Sequence, residues 1–182
     1  MVLTSDDDAI IAAARSLDCE VLFRRPAVLA PDTASSVDVV MHALDMLPGY
    51  QVVVLLQPTS PLRTAADTEA ACERFAISGA PACVSVCIAA QSPYWMFELG
   101  DNQTLTPLIE LPAGVTRRQD LPAVCALNGA IYVADTTWLR QSGTFLTRDT
   151  VASVVPAERS IDIDTPADIE AFQRALTKDA HA

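Results

Sequence analysis

An α/β domain, with helices flanking a mostly parallel sheet, is the fold class this sequence predicts. The first ground is Val52-Val53-Val54-Leu55-Leu56, an unbroken apolar and largely β-branched run. Runs of that kind mark strands covered on both faces. The second ground is the alternation of such runs with amphipathic helical stretches, the order that builds a sheet from crossover units. The third is size: 182 residues with 51% hydrophobic content suit one domain with one core.

The elements follow in order. Asp6, Asp7 and Asp8 stand where helix starts favour acids, and Ile10, Ile11, Ala14 and Leu17 share one stripe, so a helix is expected over 6–17. A short strand is expected over 20–23. Arg24-Arg25-Pro26 opens a loop that runs through Asp32-Thr33-Ala34-Ser35-Ser36 to a helix over 36–47. The strand over 51–56 ends at Gln57-Pro58-Thr59-Ser60-Pro61-Leu62-Arg63. Prolines stiffen that loop, and Gln57, Thr59, Ser60 and Arg63 bring polar groups to the carboxyl end of a strand, where open α/β sheets bind ligands. A helix over 65–77 and a strand over 82–87 come next.

From about 89 to 128 the pattern breaks down. Ser92-Pro93-Tyr94-Trp95-Met96-Phe97 is rich in aromatics, Gly100-Asp101-Asn102 reads as a turn, and Arg117-Arg118-Gln119-Asp120 is basic within an acidic chain. An insertion that leaves the sheet as hairpin strands is expected, either packed on another subunit or folded over its own domain. Residues 128–134 return to the sheet, and a last helix is expected over 165–176. The whole chain, 1–182, reads as a single domain carrying this insertion.

A net charge of −11 argues against nucleic-acid polymers and anionic membranes as partners, while leaving room for a small phosphorylated ligand. No apolar run approaches the length of a membrane span. Met1 to Asp8 lacks the basic region of a signal peptide. Five cysteines without framework spacing suggest free thiols in a reducing cytoplasm. Cys83 and Cys87 share a strand face with no second pair of ligands nearby, which reads as burial rather than zinc. His42 and His181 are the only histidines, and neither stands in a catalytic pattern.

Ile161-Asp162-Ile163-Asp164 carries the most chemistry. In an extended segment both acids project to one side while the isoleucines turn to the core. Neighbouring carboxylates repel unless a cation lies between them, and a hard ion such as Mg2+ takes one or two carboxylates together with substrate phosphates. The plainer alternative is that Asp164 caps the following helix, with Pro166 in its first turn and Asp168 near its positive end.

Taken together, Arg25-Pro26, Asp32-Thr33-Ala34-Ser35-Ser36, the Leu56 to Arg63 loop, Arg117-Arg118-Gln119-Asp120-Leu121-Pro122, Asn128-Gly129-Ala130-Ile131-Tyr132 and Ile161 to Asp164 resemble the acylneuraminate cytidylyltransferases. Those enzymes have a nucleotide-diphospho-sugar transferase fold, join CTP to a nine-carbon 2-keto sugar acid, and release pyrophosphate. The resemblance implies Mg2+ on Asp162 and Asp164, nucleotide contacts at Arg25 and Ser36, and Gln57 at the acceptor sugar near the reacting centre. It implies sugar-acid contacts at Arg118, Tyr132 and Phe145, a homodimer in which Arg118 is delivered from the neighbouring protomer, and a cytoplasmic setting. Leu146 departs from the pattern, since some members carry a second Phe there. Family members open with a strand and a Gly/Ser-rich phosphate-binding loop, and this sequence begins after the place of that segment. A truncated reading frame is therefore one expectation, and a non-catalytic binding subunit another. A metal-dependent glycosyltransferase, which also uses Asp-x-Asp, is the third.

Overall fold

The computed structural model describes residues 1–31, 33–115 and 117–179, and of residues 118, 178 and 179 the backbone alone. Its elements are α1 (Asp8–Ser16), α2 (Ser36–Met46), β1 (Val52–Leu56), α3 (Ala65–Ser78), β2 (Ala82–Ile88), β3 (Phe97–Leu99), β4 (Leu105–Pro107), β5 (Cys125–Asp135), α4 (Thr136–Ser142), β6 (Val151–Val154) and α5 (Pro166–Asp179). Among the described residues no helix is long and apolar enough to cross a membrane.

Four strands form the main sheet in the order β1-β5-β2-β6. β2 and β6 pair in parallel, whereas β5 lies between β1 and β2 and runs against both. Three strands thus share a direction, as an α/β reading expects, and β5 makes the sheet mixed. The reason lies in the insertion. Ala89 N donates to Val124 O at 3.0 Å, closing the neck of the arm at the end of β2. The chain leaves and re-enters the sheet at the same end, so β5 must run back down it. β5 also starts at Cys125, before the expected return at residue 128.

Both faces of the central strands β2 and β5 are covered, whereas β1, expected to be covered on both faces, is an edge strand whose Val52 and Val54 are 43% and 38% exposed. Val40 and Leu44 of α2, Leu139 of α4 and Phe145 pack on one face against Ala82, Val84, Val86 and Ala134. Ala71 of α3 packs on the other against Cys83, Ile131 and Val133. Alternate residues of β2 and β5 therefore serve opposite layers, which is why their sequences are apolar without a polar face. Burial pushes the Cys72 and Cys83 thiols up, so they stay protonated, and all five cysteines are free.

Local chemistry sets the helix ends. Asp7 accepts from Ala9 N and Ile10 N at 2.7 and 2.9 Å, where the acidic run predicts a start. Thr64 and Asp67 make a reciprocal capping box on α3, whose other end closes at Gly79 with φ +68°. The expected strand over 20–23 does not form. Glu20 makes an isolated parallel bridge to Val2, with Leu3 N donating to Glu20 O at 2.8 Å and Glu20 N to Met1 O at 3.2 Å. The contact is too short to extend into a ladder. The insertion does form a hairpin, with Phe97 opposite Pro107 and Leu99 opposite Leu105.

Candidate active site

Gln57 follows the last residue of β1, and Leu56 pairs with Ile131 of β5. At this point β5 bulges: Val84 pairs with Tyr132 and Val86 with Leu127, so residues 128–131 face Ser85 alone. The Ser85 hydroxyl fills the gap left in the ladder. It accepts from Ile131 N at 2.8 Å and donates to Asn128 Oδ1 at 2.6 Å. Bulges of this kind re-aim a strand beside functional sites.

The bulge turns Gly129 toward two of the expected site residues. Its φ is +71°, a conformation that favours glycine. A Cβ placed there would lie 3.0 Å from Asp162 Oδ2 and 3.2 Å from Gln57 Oε1. Gln57 and Asp162 thus bring oxygen atoms to one point, and glycine leaves the space open. Gln57 Nε2 donates to Ser36 Oγ at 3.3 Å, which orients its amide and leaves Oε1 toward Asp162. The fully buried Ser60 hydroxyl lies 3.4 Å from Asp162 Oδ1 and 3.3 Å from Asn128 O, so Oδ1 faces inward and Oδ2 faces the cleft. Arg63 ties the loop to β5 by donating to Gln57 O at 3.1 Å and Ala130 O at 2.8 Å, and its burial lowers the guanidinium pKa.

Tyr132, on β5, joins this group. Burial and then the charge of Asp162 raise its phenol pKa. Its ring lies 5.3 Å from that of Phe145. Phe145 is 4% exposed, so it supports Tyr132 from the core side. Arg25 stands apart: its guanidinium donates to Thr4 O at 2.5 Å, its Nε is buried without a partner, and no hydrogen bond or ion pair among the described residues joins it to Gln57 or Asp162. The side chain of Arg118 lies outside the described residues, as do Asp32 and His181.

The two acids are not equivalent. Residues 161–164 form no strand; Asp162 is half-buried while Asp164 is exposed. Ile163 N donates to Thr59 O at 2.8 Å, docking this segment on the Gln57 loop. Nor does Asp164 cap α5. Asp168 Oδ2 accepts from Thr165 N, Thr165 Oγ1 and Asp164 N at 2.8, 2.7 and 3.2 Å, and the Thr165 bonds hold the Asp168 carboxyl below the usual range. The cap is a Thr165–Asp168 pair, and the Asp164 carboxylate stays outside it. Among the described residues no three His, Cys, Asp or Glu side chains gather as a metal cluster. The donors present are all oxygens from one or two acids and an amide, a set that fits a hard divalent ion completing its shell with phosphate and water.

Two further residues belong to this architecture and escape a reading of the sequence for function. Asp67 and Arg159 pair across the fold, and the Arg159 hydrogen bond holds the Asp67 carboxyl well below the usual carboxylate range, against the effect of burial. Thr64-x-x-Asp67 carries a capping signature, but nothing local points to Arg159. A hollow of about 380 Å3, lined by Asp45, Tyr50, Thr136 and Arg140 among others, lies at the other end of β1 and contains none of the site residues.

Comparison with known proteins follows the same lines. No family model matches the chain. It is 31% identical to the CMP-N,N'-diacetyllegionaminic acid synthase of Legionella pneumophila, over 92% of this chain and 74% of that protein. It is 29% identical to the pseudaminic acid cytidylyltransferase of Campylobacter jejuni, over the full chain and 79% of that protein. Identity to the N-acylneuraminate cytidylyltransferase of Escherichia coli O18:K1:H7 is 28%, but there the chain spans only 40% of the relative's length. Among solved structures, CMP:2-keto-3-deoxy-manno-octonic acid synthetase complexed with CTP shares the fold, with a TM-score of 0.66, 14% identity, and coverage of 97% of this chain and 80% of that one.

Proposed function

The chain belongs to the acylneuraminate cytidylyltransferase family, and on that premise we propose that it transfers CMP from CTP to a nonulosonic, sialic-type 2-keto sugar acid, releasing pyrophosphate. The observation that carries this reading is the convergence of Gln57 Oε1 and Asp162 Oδ2 on Gly129, beyond the carboxyl end of β1. An amide oxygen beside a carboxylate suits a sugar hydroxyl being aimed at a phosphorus atom.

In the reaction the C2 hydroxyl of the acid attacks the α-phosphorus of CTP. The new C2–O–P link forms as the bond from the α-phosphorus to the bridging oxygen breaks; pyrophosphate departs with that bond's electron pair, and the hydroxyl proton is released to solvent. Such transfers depend mainly on positioning and on charge neutralisation. Gln57, held by Ser36, orients the hydroxyl. Asp162 Oδ2, together with Asp164, would hold Mg2+, which neutralises phosphate charge and acidifies the attacking hydroxyl when bound. Tyr132 closes one wall of the acceptor pocket, with Phe145 behind it. Arg118 would pair with the sugar carboxylate through its planar fork, and Arg25 would reach the nucleotide only by releasing Thr4 O.

The hairpin arm is the surface for a second copy. Trp95, Phe97, Leu99, Leu105 and Leu108 are exposed along it, a concentration of large apolar groups typical of interface cores. Free thiols and a nucleotide substrate fit a cytoplasmic setting. The test is pyrophosphate release by this chain with CTP, Mg2+ and a panel of nonulosonic acids. Release above a no-enzyme control is expected, and the best acid names the substrate. A folded sample that releases no pyrophosphate with any of these acids overturns the reading.

A further inference from the structure

Gln57 and Asp162 reach Gly129 on loops far apart in the chain, so something must hold the loops in register. Three anchors lie along the second loop. Arg159 Nε and Nη2 donate to Asp67 Oδ2 and Oδ1 at 3.0 and 2.7 Å. Ser160 Oγ accepts from Asn128 Nδ2 at 3.0 Å, and Asn128 is itself fixed by Ser85. Ile163 N donates to Thr59 O at 2.8 Å. Asp162 sits between the second and third anchors.

We propose that Asp67 and Arg159 are positioning residues for this site. Their ion pair clamps the start of the Asp162 loop onto α3, the helix that begins where the Gln57 loop ends, and so sets the distance between Asp162 and Gln57. A guanidinium fork on a carboxylate fixes orientation as well as distance. Asp67 is well suited as the fixed end: it is 7% exposed, and its Oδ2 also accepts from Thr64 N at 3.0 Å and Thr64 Oγ1 at 2.7 Å. The carboxylate therefore cannot swing without breaking the cap of α3. Asp67 bonds to Thr64 and Arg159 rather than to Gln57 or Asp162, so the pair acts through the loops it joins. The inference rests on the reading of Asp162 as a functional carboxylate, but its test does not need turnover.

The test is amide hydrogen exchange in the full chain, comparing the parent with Asp67→Asn, Arg159→Gln and Arg159→Lys. In Arg159→Gln the Ile163 amide is expected to exchange roughly tenfold faster while Ile131 and Val133 in β5 keep their protection, because the opening is local. Arg159→Lys, which keeps one charged contact, recovers part of the protection. In the same proteins kcat is expected to fall roughly tenfold, with KM for CTP changed by less than about threefold, the pattern of misplaced groups rather than lost binding. Unchanged Ile163 exchange in both Asp67→Asn and Arg159→Gln overturns the proposal. So does a uniform loss of protection through β5, which marks a pair serving only global stability. If the parent shows no turnover, the functional reading fails, and the exchange pattern still decides the clamp. Should Arg159→Gln not fold, Arg159→Lys decides alone by the same comparison of Ile163 with β5.

Discussion

Replacing Gly129 with alanine separates backbone strain from damage to the site. At φ +71° an alanine sits in the left-handed region, at a cost of about 1–2 kcal/mol. In a domain of this size that lowers Tm by about 2–8 °C. The new methyl would also stand 3.0 Å from Asp162 Oδ2 and 3.2 Å from Gln57 Oε1. Both are ends of flexible side chains, so they yield by a few tenths of an ångström at little further cost in stability. Function is less tolerant: misplacement by about 1 Å reaches a hundredfold in rate, so a loss of roughly tenfold is expected here. Gly79→Ala is the control. Its φ is +68° and nothing lies within 4 Å of an added Cβ, so it carries the backbone cost without the contacts. Thermal denaturation of the two variants should give similar shifts, while pyrophosphate release falls in Gly129→Ala alone. Equal activity in the two variants would refute the argument that Gly129 keeps open the meeting point of Gln57 and Asp162.

Three other outcomes follow from the same geometry. Asp164→Asn should remove most turnover with little change in Tm, because Thr165 and Asp168 make the α5 cap without the Asp164 carboxylate; intact turnover by pyrophosphate assay counts against its metal role. The Asp67 carboxyl titrates lower in the folded chain than in the unfolded one, so its ion pair contributes fully above the unfolded value near pH 4 and loses that contribution as pH falls toward the folded value. Urea denaturation should therefore show the stability gap between the parent and Asp67→Asn narrowing from pH 7 to pH 3, and a constant gap contradicts the assignment. Leu99 and Leu105 are cross-strand partners, 72% and 63% exposed, at the tip of the arm. Replacing both with Asp should shift a dimer to monomer in sedimentation velocity, while an unchanged association state places the interface elsewhere.

Much of the site was legible because its parts are local. The proline-bearing loop after an apolar run puts Gln57 at a strand end, whereas Asn128-Gly129 reads only as the start of a returning strand and gives no sign of the bulge inside β5. The pairing of Asp162 with Asp164 was legible as a motif, but its asymmetry was not. Extended-chain alternation placed both acids on one side, whereas with Ile163 docked on Thr59 Asp162 is half-buried and Asp164 stands in solvent. Arg25 illustrates the opposite case: its motif is plain, yet its guanidinium is engaged with Thr4 rather than with the cleft.

The sequence by itself determined part of the segments: where α1 and α3 begin, because capping acids bond to amides within three residues, and that the apolar runs of β1 and β2 enter the sheet; it missed β6 and put a strand over 20–23 where only one bridge forms. Only the tertiary structure decided how the segments meet. The reversal of β5 comes from an arm that leaves and returns at one end of β2. The bulge facing Ser85 exists because a hydroxyl on a neighbouring strand replaces the lost ladder bond. The Arg159–Asp67 clamp joins residues 92 positions apart. Contacts of this kind depend on which surfaces the packed layers bring together, and a chain's local periodicity records that a face is buried but not against what.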